Sequence, residues 1–376
     1  MSGHGGLESL EMDQDLAKRL LEEGCFFLLL DLPLGSSIGI DLSDYSAGQK
    51  FRGFKMIPPG PHFIHYSAVN SKDHRQVAPR TGFFHCFASK EVMIRKWDPA
   101  AEDISNERVS EEEAERYKAN LIGPLDQFLA PYPFKEFKRW IELTDHITEH
   151  TINALNPVCG KINSVTELIP LRYPEDAEAP GTSQKMPKSV EDLLPKMKVE
   201  PSSQIRFSAI EKLRYPSGST PSEVTLHSLD STYCLEKVLT KYAKSEQLLG
   251  ELQFAFITFI AGQVYDSFEH WKSLLRLLCT SDEATRKYPQ LYLDFVRVLQ
   301  FQIREVPEDV FVDIVEQNNF LVAILRDFFY NVSSNHDVDR KLKERALKFK
   351  DHVTNKYDWD FDAEPEDESP VVVELV

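Results

Sequence analysis

The organising apolar pattern of this chain runs over residues 250–279, GELQFAFITFIAGQVYDSFEHWKSLLRLLC. Phe254, Ile257, Ala261, Val264, Phe268, Trp271, Leu275 and Leu278 recur three and four apart, which places them along one face of a helix. Leu252, Phe256, Phe259 and Ile260 cover the other side of its first half, while Asp266, Glu269, Lys272 and Arg276 give the second half a wet side. The spacing predicts one buried core helix, with a bend or a close crossing at Gly262, where helix propensity drops. The uncharged run over 252–265 is shorter than the roughly 20 residues that cross a bilayer, and charge returns on both sides.

Nearer the start, short solid or alternating apolar runs replace the helical period. They are CFFLLLDL (25–32), the alternating Ile38, Ile40 and Leu42, FRGFKMI (51–57), HFIHYSAV (62–69), TGFFHCFA (81–88) and EVMIRKW (91–97). Separated by Pro, Gly and Ser turns with no helix between, they predict an antiparallel sandwich or barrel-like sheet. A short helix over 16–23, capped by Asp13 or Asp15 and closed at Gly24, precedes them. Ser110 to Glu113 has the form of a capping box opening a helix toward Leu121, and 134–143 and 147–155 continue in helical period. Prolines at 170, 174, 180, 187, 195 and 201 then interrupt the chain every few residues, which is linker chemistry.

From residue 205 onward helical signals dominate, with Pro221 near a helix start and apolar faces over 226–242, 291–303, 311–314, 320–330 and 342–357. The expected fold class is α+β and multidomain: a β-sandwich-like domain with flanking helices, then an all-α bundle or short superhelix. The expected division is a flexible 1–12, a β-rich domain with trailing helices over 13–158, a Pro-rich linker over 159–204, a helical domain over 205–357 and a tail over 358–376. The tail begins with DWDFDAEPEDE (358–368), seven acidic residues and no basic one, a composition that predicts extended, mobile chain. Pro370 blocks a helix, and VVVELV (371–376) follows, a strand-former at the end of a helical domain. It either packs on its own molecule or completes the sheet of another.

Composition narrows the function. A chain of 376 residues with a net charge of −17 suits protein partners better than a nucleic-acid backbone, which calls for clustered Lys and Arg. Cys25, Cys86, Cys159, Cys234 and Cys279 are widely spaced without a CxxC pair, as in a protein of reducing compartments, the cytoplasm and nucleus. The first residues carry no basic and apolar signal pattern. GxxxxGK[ST] and GxSxG are absent. His62 and His65 lie three apart on one strand and point to opposite faces, and His85 alone does not complete a metal set. His146 and His150 are four apart, as zinc ligands on a helix can be, but no HExxH frames them. The expectation is therefore no enzyme, no cofactor and no metal, with Cys25, Cys86 and Cys279 as core filler.

FRGFKMIPPGPHFIHYSAV (51–69), PRTGFF (79–84), GELQFAFITFIAGQVYDSFEHWKSLL (250–275), FVDIV (311–315) and AEPEDESPVVVEL (363–375) resemble the A1-alpha2 repressor family of splicing factors. The likeness runs from about residue 16 to 375. It implies an assembly factor of the U5 snRNP, monomeric when free, that binds the RNase H-like and Jab/MPN-like domains of the large U5 scaffold protein and delays binding of the U5 helicase. It also implies that Val371, Val372, Val373, Glu374 and Leu375 add a strand to the partner. Two rivals remain beside it: a cupin-like metalloenzyme on the N-terminal sheet, and a general helical adaptor that binds peptide motifs in a groove.

Overall fold

The computed structural model describes residues 14–69, 77–105, 107, 109–170, 197–210, 215–306 and 320–362. They fall into two compact units, one of residues 1–140, 152–206 and 261–265, the other of 141–151, 207–260 and 266–376. The strand signals of the sequence are realised in the first unit and the helical ones in the second, an α+β chain as expected. Among the described residues no helix is long and apolar enough to cross a membrane.

The first unit opens with α1 (Gln14–Glu23) and the strands β1 (Cys25–Leu30), β2 (Ser37–Ile40), β3 (Ser43–Ser46), β4 (Gly53–Ile57) and β5 (Gly60–Ser67). Strands β6 (Thr81–Phe87), β7 (Val92–Asp98) and β8 (Asp103–Ile104) precede α2 (Glu111–Asn120) and β9 (Leu129–Pro131). After α3 (Phe137–Thr144) and α4 (Glu149–Leu155) come β10 (Ile162–Asn163), β11 (Leu168–Pro170) and β12 (Met197–Val199). One five-stranded sheet has the order β8-β7-β1-β4-β9, the other β10-β6-β5-β2-β3. The second is antiparallel throughout, as predicted. The first is not: β1 pairs parallel with β7, and β4 parallel with β9.

Strand β1 shows why. All six of its residues are buried, so its run is solid where a half-exposed strand would alternate. Phe27 and Leu29 enter an apolar cluster with Ile38, Ile40 and Ile64 that draws on both sheets. Phe26, Leu28 and Leu30 turn the other way, onto Ile94, Leu121 and Leu129, with Ala114 and Tyr117 of α2 closing over them. Gly53 makes the close pairing of β1 and β4 possible. Its φ is 137°, and a Cβ there would sit 1.9 Å from the Phe27 carbonyl oxygen.

The stretch 159–204, expected as a linker, carries structure at both ends. Strand β10 pairs with β6, and β11 pairs antiparallel with β12. Edge strands of two or three residues leave no period to detect, so proline spacing did not reveal them. Ser110 caps α2 by accepting from the Glu113 amide (3.3 Å), whereas the Glu113 side chain turns to Lys96 (2.7 Å) instead of closing the predicted box.

The second unit holds α5 (Pro221–Leu229), α6 (Thr232–Leu239), α7 (Leu248–Ile260), α8 (Tyr265–Cys279) and α9 (Asp282–Lys287). The helices α10 (Pro289–Glu305), α11 (Phe320–Ser334) and α12 (Arg340–Tyr357) complete it. The single helix predicted over 250–279 is two, α7 and α8. Gln263 takes φ 59° beside Gly262, and one left-handed residue ends an α-helix. Apolar spacing continues across the break because both helices bury a face in the same core, so periodicity did not register it. The pattern over 226–242 is likewise split, at Asp230. Its carboxylate accepts from the amides of Thr232 (2.8 Å), Asp282 (3.0 Å) and Glu283 (3.2 Å), and so caps α6 and α9 together.

Helix α7 is buried from Leu248 through Thr258, and the core around it is aromatic. Trp271 packs on Phe256 and Phe268, and its indole N–H donates to Gln302 Oε1 (2.9 Å). The predicted helical signal over 311–314 and the loose start over 1–12 lie outside the described residues.

Candidate partner-binding surface

Val371, Val372, Val373, Glu374 and Leu375, the residues marked from sequence, lie outside the described residues. What the structure describes is the root from which they depart. Helix α12 closes at Asp358, which takes φ 57° and donates its amide to the Thr354 carbonyl (3.0 Å). Trp359 stacks on Tyr357 with ring centroids 5.1 Å apart. Phe361, 5% exposed, sets its edge against Phe329 of α11 at 5.0 Å. Asp362 accepts from Lys350 Nζ of α12 (2.7 Å).

This corrects the expectation of extended, mobile chain from residue 358. The first five residues of the acidic run are held against α11 and α12. Composition counted their charges, but Trp359 and Phe361 alternate with those charges and supply enough apolar area to anchor the segment.

Beside this root lies a groove of ≈ 520 Å³ between α11 and α12. Phe329, Val332, Ala346 and Phe361 form a buried floor. Tyr330 and Leu347 stand at its lips, 68% and 60% exposed. Arg326, Lys343 and Lys350 border it, and the Arg326 Nε is buried without a hydrogen bond. An apolar trough with a cationic border in a chain of net charge −17 is suited to an apolar peptide flanked by acids.

The histidines singled out from the sequence are placed by structural contacts. His62 is buried with Nδ1 2.7 Å from Asp41 Oδ2 and Nε2 2.7 Å from the Pro58 carbonyl. The same carboxylate accepts from Tyr132 Oη (2.6 Å) and the Phe63 amide (3.0 Å). His65 Nε2 reaches the Asp41 carbonyl at 3.3 Å, while its buried Nδ1 has no well-aligned partner, with Asp44 3.5 Å away. Burial, with Arg80 nearby, pushes its pKa down to about 4. His85 pairs with Glu91 (2.7 Å). His146 precedes α4 instead of sharing a helix with His150, and accepts from Arg297 (3.1 Å). Among the described residues, no group of three or more His, Cys, Asp or Glu is arranged to hold a metal.

All five cysteines are free thiols. Cys25, Cys234 and Cys279 are buried, Cys86 is half-buried and Cys159 is exposed. Burial raises the Cys25 thiol to about 11 and the Cys279 thiol further, opposite to what a nucleophile needs.

The GELQF block owes its unusual composition to two buried polar residues that the helical pattern passed over. Glu251, 1% exposed, accepts from His270 Nε2 (2.7 Å), the Ser208 amide (2.7 Å) and Tyr242 Oη. Burial raises its pKa, but hydrogen bonds from His270 and Tyr242 outweigh that, and the net direction is down. Gln253 accepts from the His146 amide (2.8 Å) and donates to Asp145 (2.8 Å). Gly250 lets this strand of chain approach, because a Cβ there would lie 2.5 Å from the His146 carbonyl oxygen. These residues clamp 145–146 and 207–208 onto α7. The signal in the sequence was a Glu and a Gln inside an otherwise apolar helix.

Comparison with known proteins covers both units. Residues 23–157 match the family model "AAR2 N-terminal domain", and residues 207–362 match "AAR2 C-terminal repeat region". A human protein, "Protein AAR2 homolog", is 43% identical over 383 residues, 98% of each chain. A Caenorhabditis elegans protein of the same name is 34% identical, covering 93% of this chain and 98% of its own. The yeast "A1 cistron-splicing factor AAR2" is 22% identical over 91% of this chain and 95% of its own. With both halves matched and relatives aligned end to end, the chain belongs to the AAR2 family.

Proposed function

We propose that this chain is a splicing factor that assembles the U5 snRNP and is not an enzyme. It binds the large U5 scaffold protein through that protein's RNase H-like and Jab/MPN-like domains and holds off the U5 helicase until maturation. The observation that carries the reading is similarity along nearly the whole chain to relatives that include a yeast protein named as a splicing factor. A net charge of −17 favours a protein partner over direct contact with RNA. In this reading the chain works as a monomer in the cytoplasm and nucleus.

In this reading Val371, Val372, Val373, Glu374 and Leu375 add a strand to the scaffold, where backbone hydrogen bonds supply affinity and alternating side chains supply register. The eight residues 363–370, extended, cover about 26 Å, enough to bridge two neighbouring domains. The test is a pull-down with the scaffold's C-terminal region, using the intact chain and a deletion of 370–376. Intact chain should be retained and the deletion should bind at least about tenfold more weakly. Equal retention of the two would remove the tail from the mechanism.

A further inference from the structure

Phe361 and Asp362, the last described residues, both line the groove between α11 and α12, so the chain leaves the described structure at the groove itself. Eight residues, AEPEDESP (363–370), separate that point from VVVELV. Fully extended they span about 26 Å, ample to fold back over a trough of ≈ 520 Å³. In an extended segment Val371, Val373 and Leu375 share one side and Val372 and Glu374 the other. That apolar side matches the floor of Phe329, Val332 and Ala346, and the exposed lips Tyr330 and Leu347 would be covered. Glu364, Glu366, Asp367 and Glu368 bring acid past a border of Arg326, Lys343 and Lys350. The ion pair of Lys350 with Asp362 is the first contact of this kind, already formed.

We propose that this groove is a dock for the chain's own segment 371–376. A tether of eight residues gives an effective concentration in the millimolar range, so a contact of a few apolar side chains suffices to occupy it. The dock itself does not depend on the partner named above. Its consequence does: on that reading the segment has two exclusive seats, and the groove lowers scaffold affinity until the scaffold displaces it.

The test uses the full chain with Cys159→Ser, which removes the exposed native thiol. Ser333→Cys, in the groove, is combined with Val373→Cys and oxidised with glutathione disulfide. The control replaces Ser333→Cys by Lys348→Cys, on the opposite flank of α12. A monomeric disulfide should form about tenfold faster with the groove cysteine. Lys343→Glu with Lys350→Glu should slow it severalfold, as should about 0.5 M salt without mutation. Equal rates at the two positions, or rates insensitive to both charge reversal and salt, would overturn the dock. A cross-link that forms in a chain that fails to bind the scaffold would uphold the dock and remove the partner reading.

Discussion

His65 and Glu251 are both buried and both titrate below their ordinary values, for opposite reasons. The His65 ring is neutral because burial disfavours its charge. Its unfolded value is 6.5 and its folded value about 4, so the unfolded chain binds the extra proton between them. Its contribution is complete above pH 6.5 and is lost as pH falls toward 4, about 3 kcal/mol in all. His65→Gln should flatten that limb of stability against pH in urea melts at pH 7, 5.5 and 4.5. Glu251 is charged because its donors are fixed around it, so its contribution persists above pH 4.5 and is lost only below. Glu251→Ala strands His270, Tyr242 and the Ser208 amide in a dry site, and should cost about 3–5 kcal/mol in the same assay. An unchanged midpoint would mean that the three donors find other acceptors.

At the scale of elements, chain reversals carry the surprises. Gln263 sits in the left-handed region, where glycine is favoured. Gln263→Gly should therefore stabilise the α7–α8 turn, by up to about 1 kcal/mol in chemical denaturation. Asp230 closes two helix starts with one carboxylate. Asp230→Ala should cost about 2–4 kcal/mol, twice the usual cap, with Asp230→Asn recovering roughly half. These turns were hidden because a left-handed residue or a shared cap leaves the apolar spacing on either side undisturbed. The parallel pairing of β1 with β7 was hidden for a related reason. A solid apolar run declares burial on both faces but not the direction of its neighbours. The tail root shows the converse error, where counting charge over 358–368 masked the anchoring rings of Trp359 and Phe361.

For the whole molecule, folding and partner capture should separate. Deleting 370–376 should move the melting temperature by no more than about 2 °C, a shift of roughly 1 kcal/mol for units of this size. The same deletion should remove most scaffold binding. A large fall in melting temperature would mean that the segment is part of the core, and loss of binding would then say nothing about a strand interface.

Periodicity and turn chemistry alone determined that strands come first and helices after, and that β1 and α7 lie in the interior. Those are properties of one residue and its near neighbours, namely whether each position is wet or dry and which backbone angles it tolerates. Contacts through space were left to the tertiary structure: Tyr132 meeting Asp41 across 91 residues, Gln253 holding Asp145 across 108, and α11, α12 and Phe361 enclosing a groove. A polar residue is stable in a dry site only if its partner is there too, and the partner's position depends on how distant segments pack. Local pattern carries no record of that.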